Sequence, residues 1–380
     1  MVFEQLEHLH ASYENDVSLS ELQLLVETTY GLKEQDRELL SNIFTKAGES
    51  DVRDDVLGDF FTSLRKREIA RELALASLAV VEGRSDESSL FELFSQLQES
   101  TSSDDNESSE FVTDDLEEIY NETWKSPGLR WRLNSLNVRL GSLRKGDFGF
   151  IFARPETGKT TFLSSEITYM AQQVPEDAGP ILWFNNEEQG KKVKVRLYQA
   201  SLGIDLPSLM SNRSENQQKY LDLTNGKLLI VDRAEIHRRH VEQLCKELKP
   251  SLIIFDQIDK IKGFAADRED LRLGAIYIWA RELAKQYCPT IGVCQADGTA
   301  EGVKWLTMDH VANAKTAKQA EADFIIGIGC VHDPVFEFVR FINISKNKLQ
   351  GDEDSDPKLR HGRFECLIRP DIARYEDMDK

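Results

Sequence analysis

The stretch Ala153-Arg154-Pro155-Glu156-Thr157-Gly158-Lys159-Thr160 constrains this chain more than any other. It follows an apolar run at 147–153 and precedes a segment of helical periodicity, TTFLSSEITYMAQQ. Strand, glycine-bearing loop and helix, in that order, are the setting a phosphate loop requires. Backbone N–H groups around Gly158 and at the helix start face the β-phosphate of a nucleotide. Lys159 bridges the β and γ oxygens, and the Thr160 hydroxyl ligates Mg²⁺. ATP and Mg²⁺ are therefore the expected cofactors. The usual pattern GxxxxGK(S/T) has glycine where this chain has Ala153, so the reading rests on context.

Residues beyond about 130 supply the sheet that such a loop needs. The runs DFGFIFA, ILWFNN, KLLIVD, SLIIFD, TIGVCQ and DFIIGIG alternate with helical stretches. That alternation predicts a mainly parallel sheet covered on both faces. FEFVRFINIS and GRFECLIRP alternate in polarity and lack a helix between them, as antiparallel edge strands would. Leu252-Ile253-Ile254-Phe255-Asp256 ends in an acid, which is costly on a buried strand unless it has a task. Beside a phosphate loop that task is Mg²⁺, held through water or through Thr160; the plainer reading is a helix-capping Asp. Glu187, Glu188 and Gln295 end other strands, where parallel sheets bind ligands. A Glu there can orient the attacking water as general base, and a Gln can sense the γ-phosphate. Each alone says little, because polar residues end most strands. Together with the loop and Asp256 they form a hydrolytic set.

The 380 residues suit two domains, and 40% hydrophobic content excludes wholesale disorder. The net charge of −19 is unevenly spread: residues 1–120 carry −20 and the rest +1. An acidic chain argues against phosphate-backbone binding, but here only for its first third. Residues 1–98 place apolar side chains at helical spacings in ELQLLVETTYGL, ELLSNIFTKA, VLGDFFTSLRKREIARELALASLAVVEG and SLFELFSQLQ. They predict a helical acidic domain with no catalytic constellation. Residues 99–112 are Ser- and acid-rich, the composition of a flexible tether. TDDLEEIYNETW predicts a short helix capped by Thr113, with Leu116, Ile119, Tyr120 and Trp124 in a stripe that needs an outside surface, such as a neighbouring copy. The expected divisions are 1–98, a tether and linker helix at 99–129, and an ATPase domain at 130–380. No apolar run approaches the roughly 18 residues that cross a bilayer, and the first residues lack the pattern of a signal peptide. Five scattered cysteines without CxxC predict neither a disulfide framework nor a zinc site. A soluble cytoplasmic protein is expected. His237-Arg238-Arg239-His240 reads as a solvated helix start, not a metal site.

A-R-P-x-x-G-K-T-T resembles the Ala-first phosphate loop of the DnaB-type replicative helicases, a RecA-like hexameric family. The likeness continues in order from about 113 to 376, through LNVRLGSLRKGDFGFIFARPETGKTTF, ILWFNNEEQGKKVKVRLYQASLGI, LIIFDQIDKI, TIGVCQADG, NAKTAKQAEADFIIGI and FINISKNKLQG. The N-terminal third does not match that family's usual N-terminal domain. The resemblance implies an α/β fold: a RecA-like P-loop ATPase domain with a central, mostly parallel sheet, preceded by a small all-helical domain. It implies an ATP-dependent replicative helicase, a hexameric ring that moves on single-stranded DNA and unwinds the replication fork. Arg154, Pro155, Glu156, Thr157, Gly158, Lys159, Thr160 and Thr161 would hold the nucleotide, with Thr160 and Asp256 on the metal. Glu187 would be the catalytic base, ahead of Glu188, and Gln295 would couple ATP to DNA. Lys346 and Lys348 would reach the γ-phosphate of the neighbouring subunit. The family usually has Arg at the position of Lys348, and lysine lacks the planar fork, so this trans contact is expected to be weaker, as in a divergent phage member. Lys260 and Lys262, in the loop 259–264 with Phe264, would contact DNA. So would Lys304, Asn313, Lys315 and Thr316, in a loop over 297–316 long enough to be a mobile element. Lys304-Trp305 reads equally as base stacking or as an ordinary packed tryptophan. A primase or helicase loader would meet the N-terminal domain, in the cytoplasm of a bacterium or of a phage-infected cell. A RecA-like recombinase, a regulatory ring ATPase and a non-motor scaffold are the alternatives.

Overall fold

Parallel strands buried on both faces appear in sequence as unbroken apolar runs; five such runs form the centre of one sheet, and a sixth, at 228–232, forms its partly exposed edge. The computed structural model describes residues 19–30, 54–82 and scattered positions in the N-terminal third, and 115–378 apart from 124, 126–127, 265 and 267. The chain divides into two compact units, 1–113 and 114–380. The first contains α1 (Leu19–Tyr30), which buries Leu22 and Val26, and α2 (Asp54–Val81). The expected tether at 99–112, the Thr113 cap, Trp124 and most of SLFELFSQLQ lie outside the described residues.

The second unit opens with α3 (Leu116–Thr123). Asp115 starts this helix by accepting from Glu118 N at 2.9 Å, while Glu118 accepts from Asp115 N at 3.1 Å, a reciprocal cap. Leu116 is 82% exposed and Tyr120 49%. After α4 (Asn134–Leu140) come β1 (Phe148–Ala153), α5 (Lys159–Ala171), β2 (Ile181–Asn185), α6 (Gly190–Leu202), α7 (Leu206–Ser211), α8 (Arg213–Thr224) and β3 (Leu228–Asp232). Next are α9 (Arg238–Leu248), β4 (Leu252–Asp256), α10 (Glu269–Gln286), β5 (Thr290–Gln295), α11 (Lys315–Glu321) and β6 (Phe324–Gly329). The antiparallel strands β7 (Val339–Asn347), β8 (Arg363–Arg369) and β9 (Arg374–Asp377) complete the sheet.

The strand order is β3-β2-β4-β5-β1-β6-β7-β8-β9, with β1 to β6 parallel. One core packs α4, α5, α6 and α8 on one face, with Phe162, Leu197 and Tyr220 against Ile151 and Trp183. The other packs α9 and α10, with Val241, Ile276 and Tyr277 against Phe150 and Phe255. The register places Ala153 beside Gln295, and Asn185 between Asp232 and Asp256. The loops after β1, β2, β4 and β5 therefore emerge together at one edge. Among the described residues no helix is long and apolar enough to cross a membrane, and the five cysteines are free thiols.

Candidate functional site

The phosphate loop is shaped by Gly158, whose φ of +104° is open to glycine and strained for other residues. A Cβ there would stand 2.6 Å from Ile368 Cδ1 and 2.9 Å from the Tyr375 hydroxyl. The loop also has a rear wall. Thr157 O accepts from Arg340 Nε at 2.7 Å, and Tyr375 OH donates toward Thr157 O and Gly158 O at 3.4 and 3.3 Å. Lys159, 6% exposed, folds back onto Ala153 O at 3.3 Å and Arg154 O at 3.1 Å. Burial pulls its pKa down, against the pull of Glu187 and Asp256. Thr160 and Thr161 are half-buried in the first turn of α5, while Pro155 and Glu156 are exposed. Arg154 turns aside to Glu301 at 2.9 Å and Ala296 O at 3.3 Å. Gly158→Ala is expected to weaken nucleotide binding at least about tenfold, read by titration of a fluorescent ATP analogue. Gly146→Ala is the control, because Gly146 also has positive φ but a Cβ there meets nothing within 4 Å.

Asp256 is 1% exposed, and neither carboxylate oxygen has a well-formed hydrogen bond, the Trp183 indole N–H being the donor that faces it. Burial, and then the nearby Glu187 charge, push its pKa up to about 7 against the opposing pull of Lys159. Asn185 Oδ1 and Asn186 Oδ1 are likewise buried without a donor. These orphaned atoms are all acceptors, the donor set a hard divalent cation with its water shell would satisfy. The residues present fit Mg²⁺. Asn185 is held by its other end, donating to Asp232 Oδ1 at 2.7 Å, while Asp232 Oδ2 accepts from Gly190 N at 2.9 Å.

The two glutamates after β2 are not equivalent. Glu188 is half-buried and ion-paired with Arg196. Glu187 is exposed toward the edge and accepts from Gln257 Nε2 at 2.8 Å. Gln295, half-buried, closes the group from the end of β5.

A profile of the AAA domain family matches residues 117–297. No curated protein matches the chain by sequence. Among solved structures, the ATPase domain of a phage helicase covers 78% of this chain and 100% of its own, with a TM-score of 0.56 and 15% identity. A DnaB-like replicative helicase, solved to show its interactions with primase, covers 99% of this chain and 91% of its own, with a TM-score of 0.55 and 14% identity. The fold is that of the DnaB-type helicases.

On this DnaB-type fold the loop after β4 begins with a turn, Ile258–Lys260, and leaves Lys260 and Lys262 exposed. Phe264 does not project with them. It packs edge-on against Trp279 at 5.5 Å, beneath the Arg238 guanidinium. The loop is joined to the start of α9, since Lys262 N donates to Ile236 O and Arg238 N to Lys262 O, both at 2.9 Å. His237 caps α9 by accepting from Arg239 N.

The segment 297–316, expected to be a mobile element, is instead built of turns. Gly298–Ala300 and Met308–His310 are 3₁₀ turns, and Ala296 and Val311 form a bridge. Backbone bonds explain the difference: Asp297 N donates to His310 O at 2.8 Å and Ala312 N to Gln295 O at 3.1 Å. Asn313, Lys315 and Thr316 are exposed at the start of α11, with Lys315 paired to Asp297 at 2.8 Å. Lys304 lies 4.6 Å from the Phe336 ring and 5.1 Å from that of Phe341, while Trp305 meets Phe341 edge-on at 5.2 Å. Of the two readings of Lys304-Trp305, the packed one matches this geometry. Lys346 Nζ donates to the Gln319 and Ala320 carbonyls, and Lys348 is exposed.

Sequence reasoning missed the rear wall of Arg340 and Tyr375, and it missed Gln257. It also missed the ion pair of buried Lys318 with half-buried Asp259, 2.6 Å apart, with Tyr277 OH donating to the same carboxylate at 3.1 Å. The polarity alternation in VRFINIS marks Arg340 as facing opposite to its apolar neighbours. The others had no local signal.

Proposed function

We propose that this chain is an ATP-driven replicative helicase, a hexameric ring that moves on single-stranded DNA and separates the duplex at a fork. The observation that carries the reading is the convergence of Lys159, Thr160, Asp256, Glu187 and Gln295 at one edge of a DnaB-type sheet. Lys159 exchanges the Ala153 and Arg154 carbonyls for the β and γ oxygens of ATP, and the N–H groups of the loop cradle the β-phosphate. Thr160 and Asp256 would hold Mg²⁺, whose charge would offset the charge building on the phosphate oxygens. Glu187 orients a water and takes its proton as the water oxygen bonds to the γ-phosphorus and ADP leaves. Gln295 relays the presence of the γ-phosphate into 297–316 through its carbonyl bond to Ala312. Lys346 and Lys348 act on the γ-phosphate of the neighbouring subunit, for which Lys346 gives up its bonds to α11.

DNA lies along Lys260, Lys262, Lys304, Asn313, Lys315 and Thr316, in contacts led by phosphates and indifferent to sequence. Residues 1–98 form an acidic domain that meets a primase or loader, joined by the tether and helix of 99–129 to the motor of 130–380. The setting is the cytoplasm of a bacterium or of a phage-infected cell.

Steady-state ATPase with and without single-stranded DNA tests the motor. DNA is expected to stimulate turnover roughly tenfold or more, with Lys159→Ala inactive in both conditions and wild type opening a forked duplex. ATPase indifferent to DNA, or Lys159→Ala equal to wild type, would overturn the reading in favour of a scaffold. Filaments in negative stain, in place of rings, would favour a recombinase.

A further inference from the structure

We infer that Arg360 supplies the planar cation that Lys348 lacks, donating N–H groups to the γ-phosphate held by the neighbouring copy of the chain. The inference rests on the proposed ring, in which Lys346 and Lys348 face that phosphate. Lys348 N donates to Asp323 O at 2.7 Å, on the side of β6. The Arg360 guanidinium brackets the same residue, since Nε donates to Asn347 O and Nη2 to Leu349 O, both at 3.0 Å. The hold is reciprocal: the buried Asn347 amide donates to Arg360 O at 3.0 Å and to Arg139 O at 2.8 Å. Only the side edge of the guanidinium is used in this way. Its end edge, Nη1 and the second N–H of Nη2, remains for a ligand.

The charge of Arg360 is not compensated. The residue is exposed, and among the described residues no carboxylate pairs with it. Acids of the preceding loop are turned elsewhere: Asp352 accepts from Ser142 N at 2.9 Å, Asp354 pairs with Arg130, and Asp356 accepts from Lys358 N at 2.9 Å. Other guanidinium groups nearby are committed. Arg281 pairs with Asp323 at 3.0 Å, and Arg139 lies 4.7 Å from the Phe364 ring. Lys346 registers the surplus of positive charge, its pKa lowered by burial and then by Lys348.

Position decides whose anion these cations meet. Lys346 stands opposite Ile325, whereas Ala153, at the phosphate-loop edge, is level with Ile328. At about 3.3 Å per residue, Asp323, which bonds Lys348, lies about 17 Å back from Ile328. The phosphate loop lies further still, so Arg360 does not reach its own nucleotide. A second copy can present one at this edge, in the head-to-tail contact that closes a ring. As water attacks and ADP leaves, charge spreads over the equatorial oxygens of the γ-phosphoryl group. A fork already fixed by its side edge offers its end edge to two of those oxygens, a geometry that lysine lacks.

The test uses the full chain with oligo(dT) and ATP. Arg360→Ala and Arg360→Lys are expected to bind a fluorescent ATP analogue within about twofold of wild type and to lose DNA-stimulated kcat at least about 10²-fold. Two rescues separate a contact in trans from support of the strand. Arg360→Ala co-expressed with Lys159→Ala is expected to exceed either variant alone at least about tenfold, because mixed interfaces pair an intact phosphate loop with an intact Arg360. Lys348→Arg added to Arg360→Ala returns a guanidinium beside the lost one and is expected to raise kcat at least about tenfold. A merely structural role would be cured by neither, so either rescue supports the contact. Failure of both, loss of analogue binding in both variants, or wild-type turnover in Arg360→Ala with Lys159→Ala inactive overturns this proposal alone. Lys159→Ala equal to wild type overturns the motor and this proposal with it.

Discussion

Glu187→Gln is expected to bind ATP as wild type does and to hydrolyse it at least about 10²-fold more slowly. The substitution keeps the size of the side chain and an oxygen that can accept from Gln257, but removes the group that takes the proton from water. Lys159, Thr160 and Asp256, the residues proposed to hold phosphates and metal, are untouched, so affinity is expected to remain. Glu188 is no substitute, because its carboxylate is engaged by Arg196. Single-turnover hydrolysis beside titration of a fluorescent ATP analogue measures both halves. Undiminished hydrolysis would move the base to Glu188 or elsewhere.

Asp256→Asn should be inactive yet more stable than wild type in the absence of nucleotide. The Asp256 carboxyl titrates near 7, above its ordinary value of 3.8, because burial and Glu187 disfavour its charge. A raised acid lets the folded chain bind more protons than the unfolded one between these values. Stability is therefore full below about 4, falls as pH rises toward 7, and stays low above it. Burial pushes Glu166 to about 7 and Asp147 to about 6, so both contribute with the same sign. Comparing variant with wild type isolates Asp256. Three pKa units at about 1.4 kcal/mol each set an upper bound of about 4 kcal/mol at pH 8, and a gain of about 2–4 is expected. In calorimetry that is a rise in Tm of roughly 5–10 °C at pH 8, shrinking to nothing at pH 4. Equal Tm values at both pH values would show that the carboxylate is not strained. If Asp256 holds Mg²⁺ as proposed, the same carboxylate would gain a partner on binding, so ATP and Mg²⁺ together should stabilise wild type more than the variant.

The centre of the sheet was legible because β1, β2, β4, β5 and β6 are buried on both faces and so lose the polarity alternation that blurs other strands, whereas β3 lies at the edge with Leu229 exposed. The antiparallel character of β7 and β8 was legible from the return of that alternation. β9 was not: its four residues, Arg374–Asp377, include a single buried aromatic, Tyr375, among charged neighbours. The phosphate loop and the acid that ends β4 could be read because strand ends and helix starts fix their own geometry. The choice between Glu187 and Glu188 could not be read from the residues alone, because it depends on Arg196 lying one helical stretch away to occupy one of them. Reading 297–316 as a mobile element counts length and overlooks that its ends are tied to each other by backbone bonds. Sequence proximity groups Phe264 with its lysine neighbours, though Trp279 provides it a partner on α10.

The wall behind the phosphate loop has a temporal consequence. Tyr375 OH reaches Thr157 O across 218 residues of sequence, so the loop leaves the ribosome well before the strand that supports it. A nascent chain interrupted before Tyr375 would display every residue of the nucleotide motif and still lack the support that gives it shape. The loop thus receives its last support only when the final strand of the sheet is in place.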